Sequence, residues 1–247
     1  MIWEIGVFIL TLLYLATLWI AYSLPAQFFW ISLGFAFVLL VGVKIIAKRF
    51  IYYFIPILLT MGSAFLMPLI DSPAQQKAFI VLSTGVFYLA ILGSYRLRKY
   101  EKDQTAKAMI NLAGIATLFC CFSSSYGYYL NYDMSVWLIM SIFAFISFLV
   151  SYSLITINQL GINRHQVFLY SIFLAYLSAG VVWMQDFWPF GYLTTSVVAL
   201  IIYYSGWDLV RNHFLGKLTA QKTFFSILFL SVAVAILLLS ARWFPVV

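Results

Sequence analysis

The chain has 247 residues, of which 65% are hydrophobic, 20% aromatic and only 9% charged. Soluble domains carry roughly a quarter charged residues, so this composition excludes a water-soluble globular protein. The net charge of +7 is compatible with nucleic-acid binding. Basic residues of a membrane protein, however, collect in cytoplasmic loops beside anionic lipid, and we therefore predict no nucleic-acid partner.

Nine apolar runs follow one another along the chain, and each is long enough to cross a bilayer. A hydrocarbon layer about 30 Å thick needs about 20 helical residues, and only a helix satisfies its own backbone there without a closed barrel. The runs are Ile5–Tyr22, Phe28–Ile46, Phe50–Ile70, Ala78–Tyr95, Ala108–Leu130, Met134–Ile157, Val167–Met184, Gly191–Val210 and Thr223–Ala241. The first lacks the basic region of a signal peptide and is predicted to be an uncleaved helix.

The sequence thus predicts an all-α, polytopic transmembrane helix bundle of nine spans. The chain is expected to form a single domain over residues 1–247, with no soluble domain, in the cell membrane.

The positions of the basic residues predict the orientation of the chain. The loops after runs two, four, six and eight hold twelve of the fourteen Lys and Arg residues, and only Lys77 and Arg242 fall elsewhere. Nine alternating spans place these four loops on one face. By the positive-inside rule the N-terminus is predicted to be cytoplasmic and the C-terminus outside.

Three aspartates, Asp71, Asp133 and Asp186, precede the fourth, sixth and eighth runs on the predicted outer side. They could form a ring that attracts cations. The simpler interpretation, which we favour, is that each carboxylate caps the free N–H groups of the helix that follows. The third run contains Pro56 and Pro68, which predict a kinked helix.

No charged residue lies in the middle of any run, and this argues against most catalytic and ion-coupled transport functions. Ion-coupled transporters usually keep ionisable groups inside the membrane. The two histidines lie in loops, and the only cysteines, Cys120 and Cys121, are adjacent and are interpreted as buried packing residues. The sequence therefore predicts no metal site, no cofactor and no catalytic residues.

Two groups of residues are candidate binding sites. On the predicted outer side, hydroxyls and aromatic rings form either an interfacial anchoring belt or a polar pocket; they are Ser124, Tyr126, Tyr128, Tyr129, Trp183, Asp186 and Trp188. On the cytoplasmic side, Arg164, Asp208, Arg211 and His213 could hold a phosphate headgroup. The alternative there is a local pair between Asp208 and Arg211 at a helix end.

Three classes of function fit these features. The first is a small carrier or binding protein for a lipid or another hydrophobic molecule, with the lipid bilayer and that molecule as its partners. The second is a non-catalytic subunit of a larger assembly, with a membrane protein as its partner. The third, ranked last because a charge-poor chain offers few catalytic groups, is an enzyme acting on a phosphorylated lipid.

Overall fold

In the computed structural model, residues 2–24, 28–47, 50–158 and 163–240 are described, and over these ranges the chain contains helices and no strand. The nine α-helices are α1 (Ile2–Ser23), α2 (Phe28–Ala47), α3 (Phe54–Leu66), α4 (Pro73–Lys99), α5 (Gln104–Asn131), α6 (Val136–Asn158), α7 (Arg164–Gln185), α8 (Tyr192–Phe214) and α9 (Ala220–Ser240). Several basic residues used to predict the orientation, including Lys48, Arg49 and Arg242, lie outside the described residues.

Within the described ranges, eight helical stretches are long and apolar enough to cross a membrane. Seven of them are α1 and α4 to α9, and the eighth is α3 together with the 3₁₀ turns that flank it. In α2 a shorter apolar stretch covers Trp30–Val43. The predicted all-α, multi-pass fold is therefore confirmed. The direction in which the chain crosses the membrane stays a prediction.

The prolines of the third span lie at its ends rather than in the interior of a helix. Pro56 is in the first turn of α3, where a backbone N–H would have no helical partner. Pro68 falls in the 3₁₀ turn Met67–Leu69 that follows α3. The span is thus a short α-helix between two 3₁₀ turns, and the predicted kink stays a prediction.

The capping interpretation of the three aspartates is wrong. The residue that precedes α4 is Ser72, and the residue that precedes α8 is Gly191. At the start of α6 it is the hydroxyl of Ser135 that accepts from Leu138 N–H, at 3.4 Å. Each aspartate therefore lies at least one residue outside the capping position, and Asp186 instead ends α7.

Two compact units make up the chain, residues 1–124 and residues 125–247, and the boundary between them falls inside α5. The core of the first unit is centred on Tyr14, which is fully buried. Its ring stacks on Phe87 with 4.2 Å between centroids, and its hydroxyl lies 2.6 Å from Ser63 Oγ. This hydrogen bond satisfies a buried phenol and links α1 to α3.

A close approach between α3 and α5 completes this core. A methyl group at Gly62 would lie 2.7 Å from Sγ of Cys121 and 2.9 Å from its backbone nitrogen. The Cys121 thiol donates to the carbonyl of Leu58 at 3.3 Å, and both cysteines are buried. Small residues at such contacts let membrane helices pack closely, which is the packing role predicted for the cysteines.

The second unit is held by hydroxyl pairs of the same kind. Ser151 Oγ lies 2.7 Å from the hydroxyl of buried Tyr203, which joins α6 to α8. Ser147 donates to Ser178 at 2.8 Å and joins α6 to α7. The last helix, α9, packs along α8, and none of its residues from 220 to 239 is buried.

We predict that Gly62→Ala destabilises the protein by about 1–3 kcal/mol, because the added methyl group overpacks the contact with Cys121. The matched control is Gly85→Ala in α4, where a methyl group would meet no atom within 4 Å; its effect should stay within about 1 kcal/mol. Unfolding in mixed micelles measures both. Equal stability of the two variants would contradict the close α3–α5 contact.

Candidate functional site

The serines at the end of α5 face the protein interior. Ser124 is 4% exposed and donates to the carbonyl of Cys121 at 3.1 Å, within its own helix. Ser123 is completely buried. Their positions in the core favour packing over an outward-opening pocket as the role of these hydroxyls.

Tyr126 belongs to a buried polar junction at the end of the second unit where α5 and α7 end and α8 begins. Its hydroxyl donates to the carbonyl of Gln185 at 3.2 Å. The side-chain amide of Gln185 donates in turn to the carbonyl of Thr195 at 3.0 Å. Gln185 is completely buried, and it joins α7 to the first turn of α8. Its role could not be predicted from the sequence, because a single glutamine beside many aromatic residues carries no motif.

The remaining aromatic residues of the predicted cluster contact other side chains near the ends of α5 and α7. The hydroxyl of Tyr129 donates to the carboxylate of Asp186. Tyr128 stacks on Tyr132, and Trp188 meets Phe190 edge to face. Trp183 is 51% exposed, as expected for a residue of an interfacial belt. The structure therefore brings Tyr126, Tyr129 and Asp186 together through the junction and leaves Trp183 on the surface.

The second predicted site lies at the opposite end of the same unit, where α7 begins and α8 ends. Asp208 accepts a hydrogen bond from the side-chain amide of Asn212 at 2.9 Å. Among the described residues no ion pair joins Asp208 to Arg211, so the predicted local pair is replaced by this amide contact. His213 lies beside the ring of Tyr170, with 6.0 Å between centroids, and Arg164 is exposed.

A cavity that the sequence did not reveal opens at one end of the first unit, between the start of α1 and the end of α4. Its volume is about 240 Å³, and it is lined by Glu4, Leu92, Tyr95, Arg96, Lys99 and Tyr100. We call it the Glu4–Arg96 cavity. The start of α1 thus lies beside the end of α4, which is the arrangement that alternating helices require.

The cationic wall of the cavity is fixed by the turn that leads into α5. Arg96 forms an ion pair with Asp103, with 2.8 Å between Nη2 and Oδ2. The other carboxylate oxygen of Asp103 accepts from the backbone N–H groups of Thr105 and Ala106, at 3.0 and 3.2 Å, and so caps α5. Asp103 therefore positions the guanidinium of Arg96 while part of that side chain, 39% of which is exposed, still faces the solvent.

The second cation, Lys99, lies one turn further along α4. Its ammonium is 5.3 Å from the centre of the Tyr100 ring, a distance at which cation and ring attract each other. Arginine and lysine are the usual ligands of phosphate oxygens. No group of three or more His, Cys, Asp or Glu side chains in the described part of the chain could hold a metal ion. The cavity therefore offers binding chemistry for an anion, beside the carboxylate of Glu4.

The sequence from 44 to 240 matches the profile of a family described as "Protein of unknown function (DUF5656)". Comparisons with curated proteins and with solved structures gave no match. The matched range includes Arg96 and Lys99 but not Glu4. Since it covers well over half of the chain, the protein belongs to this family.

We predict that Gln185→Leu destabilises the second unit by about 0.5–1.5 kcal/mol, because it removes the hydrogen bond by which the side chain of Gln185 joins α7 to the carbonyl of Thr195 in α8. Hydrogen exchange over residues 186–196 should become faster, and unfolding in micelles should occur at lower denaturant. The control is Gln166→Leu at the exposed start of the same helix, which should change stability by less than about 0.5 kcal/mol. Unchanged exchange in Gln185→Leu would show that the junction does not hold the α7–α8 connection.

Proposed function

We propose that this DUF5656 protein, a polytopic helical membrane protein, binds a lipid through the phosphate of its headgroup in the Glu4–Arg96 cavity. The observation that carries the proposal is the composition of the cavity. Two cations, one carboxylate, two tyrosines and one leucine meet at the charged end of otherwise apolar helices. The charged end of a helix that spans a bilayer would lie close to the phosphates of the lipids, which favours a phosphate ligand.

The order of the lining residues along α4 matches the order of groups in a phospholipid. Leu92 lies deepest in the span, Tyr95 and Arg96 come a turn later, and Lys99 with Tyr100 ends the helix. With a rise of about 1.5 Å per residue, Leu92 and Lys99 are separated by about 10 Å along the axis. An acyl chain beside Leu92 would thus place its phosphate beside Arg96 and Lys99, and Tyr95 would lie near the glycerol level.

The pre-set position of Arg96 favours binding. Asp103 holds the guanidinium before any ligand arrives, so less side-chain freedom is lost when the ligand binds. The guanidinium has five donors and an ion pair with one carboxylate oxygen does not use them all, so donors remain for phosphate. The proposal keeps the lipid-binding hypothesis drawn from the sequence. It places the lipid at the end of α4 instead of at the aromatic cluster or at Arg164 and Arg211.

One observation favours the second class of function, a subunit of a larger assembly. No residue of α9 between 220 and 239 is buried, whereas every other candidate span buries at least 33% of its apolar window. A helix that packs against one neighbour leaves most of its surface for lipid or for helices of another protein. Site-specific photocrosslinking from Phe229, which is 71% exposed, distinguishes the two: an abundant protein adduct supports the subunit role, and lipid adducts alone contradict it.

The lipid-binding proposal predicts that the protein purified in mild detergent retains phospholipid, and that Lys99→Gln lowers its occupancy about five-fold. The estimate takes about 1 kcal/mol for one cation near a membrane surface. Native mass spectrometry measures the occupancy. The control is Lys77→Gln, which removes an exposed lysine from the other end of the same helix and should leave occupancy unchanged. Lipid-free wild-type protein, or equal occupancy in the two variants, would overturn the proposal.

A further inference from the structure

We infer that the Glu4–Arg96 cavity selects a zwitterionic phospholipid whose headgroup carries a primary ammonium, that is, a phosphoethanolamine headgroup. The inference rests on the proposed function, because it names the class of lipid that the same cavity would hold. It is carried by the presence of a carboxylate in a cavity whose other charged groups are cations.

The charges of the lining match both charges of such a headgroup. Arg96 and Lys99 face the phosphate from α4, and Glu4, on α1, lines the same cavity. A carboxylate accepts hydrogen bonds and offers several lone pairs, and a primary ammonium donates three N–H groups. Bonds between two such charged groups are among the stronger hydrogen bonds in proteins. An anionic headgroup would bring a hydroxyl or a second negative charge near Glu4 and would gain less.

The aromatic residues do not favour a quaternary ammonium over a primary one. Choline is usually recognised by a cage of aromatic faces, and here the ring of Tyr100 already has the ammonium of Lys99 beside it. A trimethylated nitrogen also has no N–H group to donate to Glu4. Phosphocholine would therefore keep the contacts to the cations and lose those to the carboxylate.

The size of the cavity agrees with a headgroup of this kind. A volume of about 240 Å³ is many times the roughly 10–15 Å³ that one water molecule requires, so the cavity has room for a small polar headgroup. The acyl chains would remain outside the cavity, along the apolar surface of α4 that begins at Leu92.

In the experiment, the protein is reconstituted in nanodiscs that contain an equimolar mixture of phosphatidylethanolamine, phosphatidylcholine and phosphatidylglycerol with identical acyl chains. Native mass spectrometry then identifies the lipid that stays bound after detergent release. We expect phosphatidylethanolamine to be enriched over the other two lipids. Glu4→Gln should lower this enrichment about five-fold, the factor that corresponds to about 1 kcal/mol for one exposed ion pair. Glu101→Gln, which removes a carboxylate near the end of α4 that does not line the cavity, should keep the enrichment.

The possible results separate the two proposals. Retained phospholipid without enrichment, or with phosphatidylglycerol enriched, overturns the headgroup assignment and leaves lipid binding intact. No retained phospholipid overturns both. Glycerophosphoethanolamine, which has the same headgroup and no acyl chains, should bind much more weakly than the lipid; equal affinity would identify a soluble phosphate ester as the ligand and would overturn the lipid assignment.

Discussion

Eight helical stretches in the described part of the chain are long and apolar enough to cross a membrane, and the absence of a hydrophobic force between helices in lipid is the constraint on which such a structure depends. Membrane helices must associate through close packing and polar contacts instead. The first unit meets this requirement with Gly62, whose missing side chain lets α5 approach α3, and with the Tyr14–Ser63 hydrogen bond. The second unit uses Tyr203–Ser151 and Ser147–Ser178. Each unit thus contains a buried tyrosine that bonds to a serine from a helix distant in sequence.

The spans could be predicted from composition because a single physical quantity, the length of apolar helix that crosses the hydrocarbon, fixes them. The ends of the helices could not, since they depend on particular side chains. In the sequence, three aspartates look like N-caps: Asp71, Asp133 and Asp186. The structure instead has Ser72, Ser135 and Gly191 at the positions before these helices. The aspartate that does cap a helix is Asp103. The sequence presents it in a run of lysines and arginines, where it resembles a solvated loop residue.

The candidate site was harder to predict, because only the residues that line it at the end of α4 are close together in the sequence. Tyr95, Arg96, Lys99 and Tyr100 are close in sequence, where they look like part of a basic loop. The cavity exists because α1 begins where α4 ends, which brings Glu4 across about 90 residues to the same place. Gln185 was missed for a related reason: its importance comes from the carbonyl of Thr195 on the next helix. Composition shows which residues are polar, but only tertiary contacts show which of them meet.

The distribution of charge is the reason why the proposed binding site lies at the end of a helix. With no acidic or basic residue near the middle of any span, the interior can hold hydroxyls and thiols but cannot offer a phosphate a counter-charge. A charged headgroup needs partners that remain hydrated, and these exist only at the membrane boundary. There Asp103 performs two tasks with its two oxygens: one caps α5, and the other holds Arg96. The capping contact that starts α5 therefore also prepares the cation that would meet the phosphate, so the fold of this turn and the proposed binding site depend on the same carboxylate.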